Sequence, residues 1–244
     1  MDTIKNKNNR SHWQTLYTIG AIASLLGVAV SLTEIGLTFL PRGDASHLVT
    51  VTDWFTLLQS NPFMGLRNLG LLNMGFNALA VPVFLALYFA HRKTAPVPAL
   101  FALLATFFGS AVFFATNRAL PMLELSGQYA AAATEAERAP LVAAGRVMLA
   151  VGASHTPGTF LAFFFSEIAG IVISVVMLRG NTFGKFNAYA GVLGFALLLI
   201  FEVSASFGAG MTDAVLMLAA LGGFLSIAWY GLLALRLFHL GHDG

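Results

Sequence analysis

Six apolar stretches of this chain are each long enough to cross a lipid bilayer as a helix. Crossing about 30 Å of hydrocarbon takes roughly 20 residues. The stretches cover residues 16–40, 66–90, 97–119, 157–178, 186–207 and 213–238. Charged residues make up only 10% of the chain, against about 25% in a soluble domain. The sequence therefore predicts an all-α, polytopic membrane helix bundle. Its six transmembrane helices form one domain, residues 16–238, between tails 1–15 and 239–244.

The Lys and Arg residues of the connecting segments indicate an orientation. The basic N-terminus resembles the start of a secretory signal, but the first stretch reaches Glu34 without a small-x-small cleavage site and is interpreted as an uncleaved span. If the N-terminus is cytoplasmic, the inner segments carry Lys5, Lys7, Arg10, Arg92, Lys93, Arg179, Lys185 and Arg236, and the outer segments carry Arg42, Arg67, Arg118, Arg138 and Arg146. The positive-inside rule then places both tails in the cytoplasm.

The two longer outer segments are expected to contain short extracytoplasmic amphipathic helices. Residues 49–63 carry apolar residues with a Trp for the headgroup level, and Thr52 or Asp53 is the expected cap. An interfacial helix that covers the bundle is favoured there over a gating lid. Residues 134–137 have the spacing of a capping box, although a start at Pro140 is an alternative.

Small residues at four-residue spacing predict close helix packing in lipid. Such a stripe runs along the fourth span, and shorter ones are expected in the fifth and sixth. The residues are Ala162, Ser166, Gly170, Ser174, Asn187, Gly191, Ala219 and Gly223. The 22 Phe residues are interpreted mostly as lipid-facing or core residues, although aromatic crevices also hold quinones or carotenoids.

Three carboxylates interrupt the apolar stretches at Glu34, Glu167 and Glu202. Each costs about 2.5–3.5 kcal/mol at the centre of a membrane helix, so each marks a candidate functional site. When each span is assigned its direction across the membrane, Glu34, Glu202 and most other intramembrane polar groups fall in the outer half, and Glu167 falls near the middle of its span. The sequence therefore predicts one outward-facing polar pocket for ligand or proton binding. Its candidate residues are Glu34, Asn73, Asn77, Asn117, Arg118, His155, Glu167 and Glu202.

Four interpretations of this pocket stay open. Ion pairs such as Glu34–Arg118 simply lock the bundle, with Arg67 and His155 as other possible partners. Alternatively, Glu167 and Glu202 titrate in a small-ligand binder or a proton- or cation-coupled carrier. The chain is otherwise an accessory or sensor subunit of a larger assembly, or a metal-dependent intramembrane hydrolase. Binding or coupled transport of a small solute is preferred over catalysis.

Composition and motifs limit the kinds of partner, metal and cofactor that this chain is expected to bind. The chain has no Cys, hence no disulfide or thiolate site. It has no His-Glu-x-x-His and no Gly-x-Ser-x-Gly motif, and His155 is the one histidine near the carboxylates, so no metal and no cofactor is indicated. No Lys/Arg run resembles a nucleic-acid footprint. The expected partners are the lipid bilayer and a small solute or proton, and a protein partner or homo-oligomer stays open.

Four segments resemble a bacterial family of small six-span membrane proteins, domain of unknown function 4386. They are TVTDWFTLLQSNPF (50–63), FFATNRALPMLELSGQYAAAATEAER (113–138), AAGRVMLA (143–150) and ISVVMLRGNTFGKFNAYAGVLG (173–194). With the spans between them they cover most of residues 16–207. The resemblance implies a six-helix protein of the bacterial inner (plasma) membrane and no particular reaction, so it supplies no catalytic residue.

Overall fold

The computed structural model describes residues 2–40, 45, 48–180, 182–208 and 212–242, with side chains from Trp13 onward. These residues form ten α-helices and no strand. The helices are α1 (Asp2–Thr38), α2 (Val51–Ser60), α3 (Pro62–Asn68), α4 (Leu71–His91), α5 (Pro96–Thr116), α6 (Ala119–Ala131), α7 (Glu135–Val151), α8 (Phe160–Arg179), α9 (Lys185–Phe207) and α10 (Asp213–His242). The predicted all-α class is confirmed.

Six of these helices are long and apolar enough to cross a membrane, which confirms the predicted multi-pass bundle. The spans are residues 13–38 of α1, α4, α5, α8, α9 and α10, and the apolar segment of α5 continues into α6 as far as Ala131. Each span packs against the one before and the one after it, and α10 returns to pack against α1. The six spans therefore form a closed ring in sequence order, with neighbours antiparallel.

The four short helices all lie at one end of the ring, which we call the cap end. Helices α2 and α3 connect α1 to α4, and α6 and α7 connect α5 to α8. They pack on one another around a small apolar core that includes Phe55, Leu58 and Met122. The opposite end, which we call the tail end, holds the tight turns after His91 and Arg179. The cap supports one end of the ring and leaves the tail end bare.

The halves of the ring differ in how completely they are filled. The main apolar core lies in the tail half, where residues such as Leu87, Ile173 and Leu233 are fully buried. Glycines allow the spans to approach closely there. A Cβ at Gly170 would stand 2.4 Å from the ring of Phe195, and one at Gly191 would stand 2.1 Å from Ser174 Oγ. The cap half contains Glu34 and Glu202 and keeps a cavity.

One predicted packing position is wrong by one residue. The sequence placed Gly223 in a close-packing stripe of the sixth span, but a Cβ at Gly223 meets nothing within 4 Å. Gly222 makes the contact instead, with the carbonyl oxygen of Gly194 3.0 Å from its Cβ position. Since consecutive residues of a helix point about 100° apart, Gly223 faces away from this contact.

Several helix boundaries also differ from the predictions. Thr50 caps α2 in place of Thr52 or Asp53, because Asp53 serves as the reciprocal residue of a capping box. The second span begins at Leu71 because Gly70, with a φ of 99°, interrupts the helix. At α7, the Thr134 capping box is present and the helix runs through Pro140, so the alternative start at Pro140 is wrong.

Candidate functional site

A cavity of about 300 Å³ lies inside the cap half of the ring. All six spans and the connection between α7 and α8 contribute to its wall. Six of the eight predicted site residues line it, namely Glu34, Asn73, Asn77, His155, Glu167 and Glu202. Residues from distant parts of the chain therefore meet in this cavity.

Glu167 is the carboxyl group that this cavity leaves without a partner. It lies on α8, about 10 Å along the helix axis from Phe160. Its Oε2 atom is buried and forms no hydrogen bond with any described residue. The carboxyl groups of Glu167 and Glu202 are close enough to interact electrostatically. A buried carboxylate in this situation is unstable unless a cation pairs with it or it takes up a proton.

Glu202, in contrast, is fully engaged. It is 1% exposed, and its Oε2 lies 2.6 Å from Nδ1 of His155. The Ser206 hydroxyl donates to its Oε1 at 3.1 Å. The imidazole is also fixed from both sides, with its centroid 4.7 Å from the rings of Phe163 and Phe201. This pair forms a rigid part of the wall.

His155 reaches this position through an unusual backbone conformation. Its φ of 57° lies in the left-handed region, which non-glycine residues adopt infrequently. The Thr156 and Thr159 hydroxyls donate to the carbonyl of Ala153, at 2.7 and 2.8 Å, and close the loop. The connection between α7 and α8 is therefore folded to bring the imidazole over α9.

Glu34 is paired with Arg67. Nη2 of Arg67 lies 2.9 Å from Oε1, and Nε donates to Oε2 at 3.1 Å. The guanidinium, only 3% exposed, also donates to the Glu34 carbonyl and to the Thr38 hydroxyl. The proposed Glu34–Arg118 pair is thus wrong. Arg67 lies on α3, directly beside the end of α1, and ties the cap to the first span.

Asn117 and Arg118 do not line the cavity. The Asn117 amide accepts from Ala119 N at 2.9 Å and donates to the carbonyl of Gly70 at 3.4 Å. Nη1 of Arg118 donates to the carbonyl of Leu149 at 2.7 Å, and its guanidinium lies over the Trp54 ring at 5.8 Å. Both residues join α5 to the cap helices, because the helix breaks between Thr116 and Ala119 and directs them away from the bundle axis.

Aromatic side chains make up part of the rest of the wall, which the sequence interpretation missed. Six rings line the cavity, those of Phe76, Phe84, Phe163, Phe195, Phe201 and Tyr230. A signal for some of them existed. On α4, the lining residues Asn73, Asn77, Ala80 and Phe84 recur at helical spacing and so share one face. An aromatic residue on the same helix face as two Asn side chains indicates that this face borders a cavity rather than lipid.

The hydrolase alternative requires a set of metal ligands. Within the part of the chain that the structure describes, no group of three His, Asp or Glu side chains is placed to hold a metal ion. His155 and Glu202 form a pair, and no third ligand joins them among these residues. The cavity therefore presents one paired carboxylate–imidazole unit, one carboxylate–guanidinium pair and one unpartnered carboxyl group.

No protein-family model matches this chain, and no curated protein or solved structure shows significant similarity to it. The resemblance to the domain of unknown function 4386 family stays a prediction. The functional assignment accordingly rests on the geometry of the cavity.

Proposed function

We propose that this chain is a bacterial inner-membrane protein that binds a small solute in the cap-half cavity and carries it in exchange for a proton or another cation. The observation that carries this proposal is the position of Glu167. Its buried Oε2 has no hydrogen-bond partner among the residues that the structure describes, and it lies inside a cavity to which all six spans contribute.

An unpartnered carboxylate is suited to coupled exchange. In a low-dielectric site, either a proton or a bound cation stabilises it, and the arrival of one favours departure of the other. Glu34 and Glu202 already have permanent partners in Arg67 and His155. Glu167 is therefore the group whose partner changes during a cycle.

The packing alternative accounts for two of the three carboxylates. The Glu34–Arg67 and Glu202–His155 pairs each join separate helices, as locking contacts do. It does not account for Glu167, because a group that only locks a bundle needs a partner to lock to. A costly intramembrane carboxyl group that has no partner among the described residues favours a ligand or proton site.

The proposed orientation determines which side the cavity faces. With both tails in the cytoplasm, as the Lys and Arg distribution favours, the cap end is outside and the cavity faces outward. Aromatic rings close its tail-side floor, with Trp229 5.1 Å from Phe195 and 6.2 Å from Phe84. Transport in this scheme requires the floor to open toward the tail end.

Proteoliposome flux tests the proposal. Purified protein is reconstituted and tested with a panel of labelled amino acids, amines, sugars, nucleosides and inorganic cations, with and without a pH gradient. At least one solute is expected to show saturable uptake that Glu167→Gln removes. Glu124→Gln is the matched control, because Glu124 is an exposed carboxylate on α6 that does not line the cavity. Equal flux through the wild type and a folded Glu167→Gln variant would contradict the proposal.

A further inference from the structure

We propose that the solute is an organic cation, an amine or quaternary ammonium with an apolar body, and that it enters sideways from the bilayer between α1 and α10. This inference rests on the proposed function and specifies its substrate class. It follows from the chemistry of the wall, the size of the cavity and the position of its opening.

The wall favours a positive charge. Three carboxyl groups line the cavity, and none of its described lining residues is Lys or Arg. An anion would meet these carboxyl groups at short range, and a neutral solute could give Glu167 a hydrogen bond but no compensating charge. A cation placed at Glu167 gains the carboxylate and the faces of nearby aromatic rings, among them Phe163 and Tyr230.

The wall also favours an organic cation over a metal ion. Ca²⁺ and Mg²⁺ require six or more oxygen ligands, counting water. No metal-ligand group occurs in the described part of the chain, and six aromatic rings take much of the surface. A volume of about 300 Å³ is at the small end of ligand pockets and suits a body of one ring or a short branched chain.

The opening of the cavity lies on the α1–α10 side. Of the residues that line the cavity, Ile35 on α1 is the exposed one, with 45% of its surface accessible. A Cβ at Gly223, on the facing part of α10, would meet nothing within 4 Å. These two residues mark a mouth near the cap-side ends of both helices.

Helices α1 and α10 pack tightly on the tail side of this mouth and loosely on its cap side. In the tail half, Ser24 Oγ donates to the Tyr230 carbonyl at 2.7 Å, and Ala21 and Leu233 are fully buried. Toward the cap, no residue of 28–38 or of 213–221 is buried. The cap-side parts of α1 and α10 are therefore less covered than their tail-side parts, and we place the opening of the cavity to the lipid interface there, where amphiphilic molecules concentrate.

Binding of the cation competes with a proton at Glu167, so affinity falls as the pH falls. The titratable groups that face Glu167 in the cavity are Glu202 from α9, Tyr230 from α10, Glu34 from α1 and His155 from the α7–α8 connection. Helices α4 and α5 contribute the non-titrating Asn73, Asn77 and Thr106. Because Arg67 pairs with Glu34 and Glu202 pairs with His155, we assign the acid-side loss of affinity to Glu167.

The test is equilibrium dialysis of tritiated benzyltrimethylammonium against the full chain in lipid nanodiscs. We expect saturable binding to one site that neopentylbenzene, the neutral isostere, displaces poorly. Glu167→Gln is expected to weaken binding about tenfold or more, whereas Glu124→Gln leaves it unchanged. Gly223→Leu fills the mouth and is expected to weaken binding as well. Gly231→Leu, also on α10 with open space at its Cβ but outside the cavity wall, is the matched control.

Three results would overturn the inference. If a folded Glu167→Gln protein still binds the cation, the Glu167 carboxylate does not take part in recognition. If neopentylbenzene displaces the ligand equally well, the positive charge does not contribute to binding. If Gly223→Leu and Gly231→Leu weaken binding equally, the solute does not enter sideways between α1 and α10. If benzyltrimethylammonium does not bind but another solute shows Glu167-dependent flux, the cation class fails while the proposed function stands. If benzyltrimethylammonium does not bind and no solute shows Glu167-dependent flux, both the cation class and the proposed function fail.

Discussion

Nδ1 of His155 lies 2.6 Å from Oε2 of Glu202, across 47 residues of sequence. This contact fixes the α7–α8 connection onto α9 and closes one side of the cavity. It also explains why Glu202 tolerates almost complete burial. A hydrogen bond to a charged group contributes about 1.5–3 kcal/mol, and more is lost when the remaining partner is left buried alone.

A double-mutant cycle measures this contact. His155→Ala and Glu202→Ala are each expected to lower the free energy of unfolding in mixed detergent micelles. The double variant should lose less than the sum, with a coupling of about 1.5–3 kcal/mol. Additive losses would show that the two side chains do not interact in the folded protein.

The Arg67–Glu34 pair should stabilise the cap against the first span. Arg67→Met leaves Glu34 without its buried partner and is expected to cost about 3–5 kcal/mol. Arg138→Met is the control, because its pair with Glu135 is largely exposed and should contribute less than about 1 kcal/mol. Thermal unfolding in detergent compares the two. Similar losses would contradict the distinct role of Arg67.

Gly191 should not accept even one methyl group. A Cβ there would stand 2.1 Å from Ser174 Oγ and 2.5 Å from the Trp229 ring, so α9 must move or the core must repack. Gly191→Ala is expected to destabilise the bundle by about 1–3 kcal/mol. Gly231→Ala meets open space and should be neutral or stabilising, as alanine favours helix. A stable, unshifted Gly191→Ala variant would contradict the close α8–α9–α10 packing.

The start of α7 should respond to pH. The backbone N–H groups of Ala133 and Thr134 donate to the Glu137 carboxylate, at 2.7 and 3.1 Å, and lower its pKa below the usual value. A lowered pKa means that the stabilisation is complete above the unfolded-state pKa and is lost as the pH falls through the folded-state pKa. Hydrogen exchange at residues 133–137, corrected for the intrinsic rate, should accelerate in that acid range. Glu137→Gln should remove the pH dependence.

The fold class and the membrane depth of each polar group could be predicted from the sequence. The direction in which each polar side chain points around its helix axis could not. Apolar length predicted six spans, and span direction placed Glu34 and Glu202 in the same half of the membrane. Arg67 and Arg118 both fell at the same end, so the sequence could not choose between them as partners of Glu34. That choice depends on the helix breaks at Gly70 and after Thr116, which set the direction of each guanidinium.

The aromatic wall shows the same limit. Phe163 and Phe201 lie beside the Glu202–His155 pair, yet in sequence they resemble any lipid-facing Phe. Only assembly of the ring determines which Phe residues face inward. The absence of a partner for Glu167 was likewise invisible in the sequence, since it depends on what the other five spans do not supply.

Labelling of Glu167 by a hydrophobic carbodiimide tests the central claim most directly. This reagent modifies carboxyl groups that carry a proton and are accessible from an apolar phase. Peptide mass spectrometry after treatment in nanodiscs is expected to find Glu167 modified ahead of Glu34 and Glu202, because Arg67 occupies Glu34, and His155 and Ser206 occupy Glu202. Modification of Glu34 or Glu202 with Glu167 left unreacted would contradict an open, unpartnered carboxyl group in the cavity.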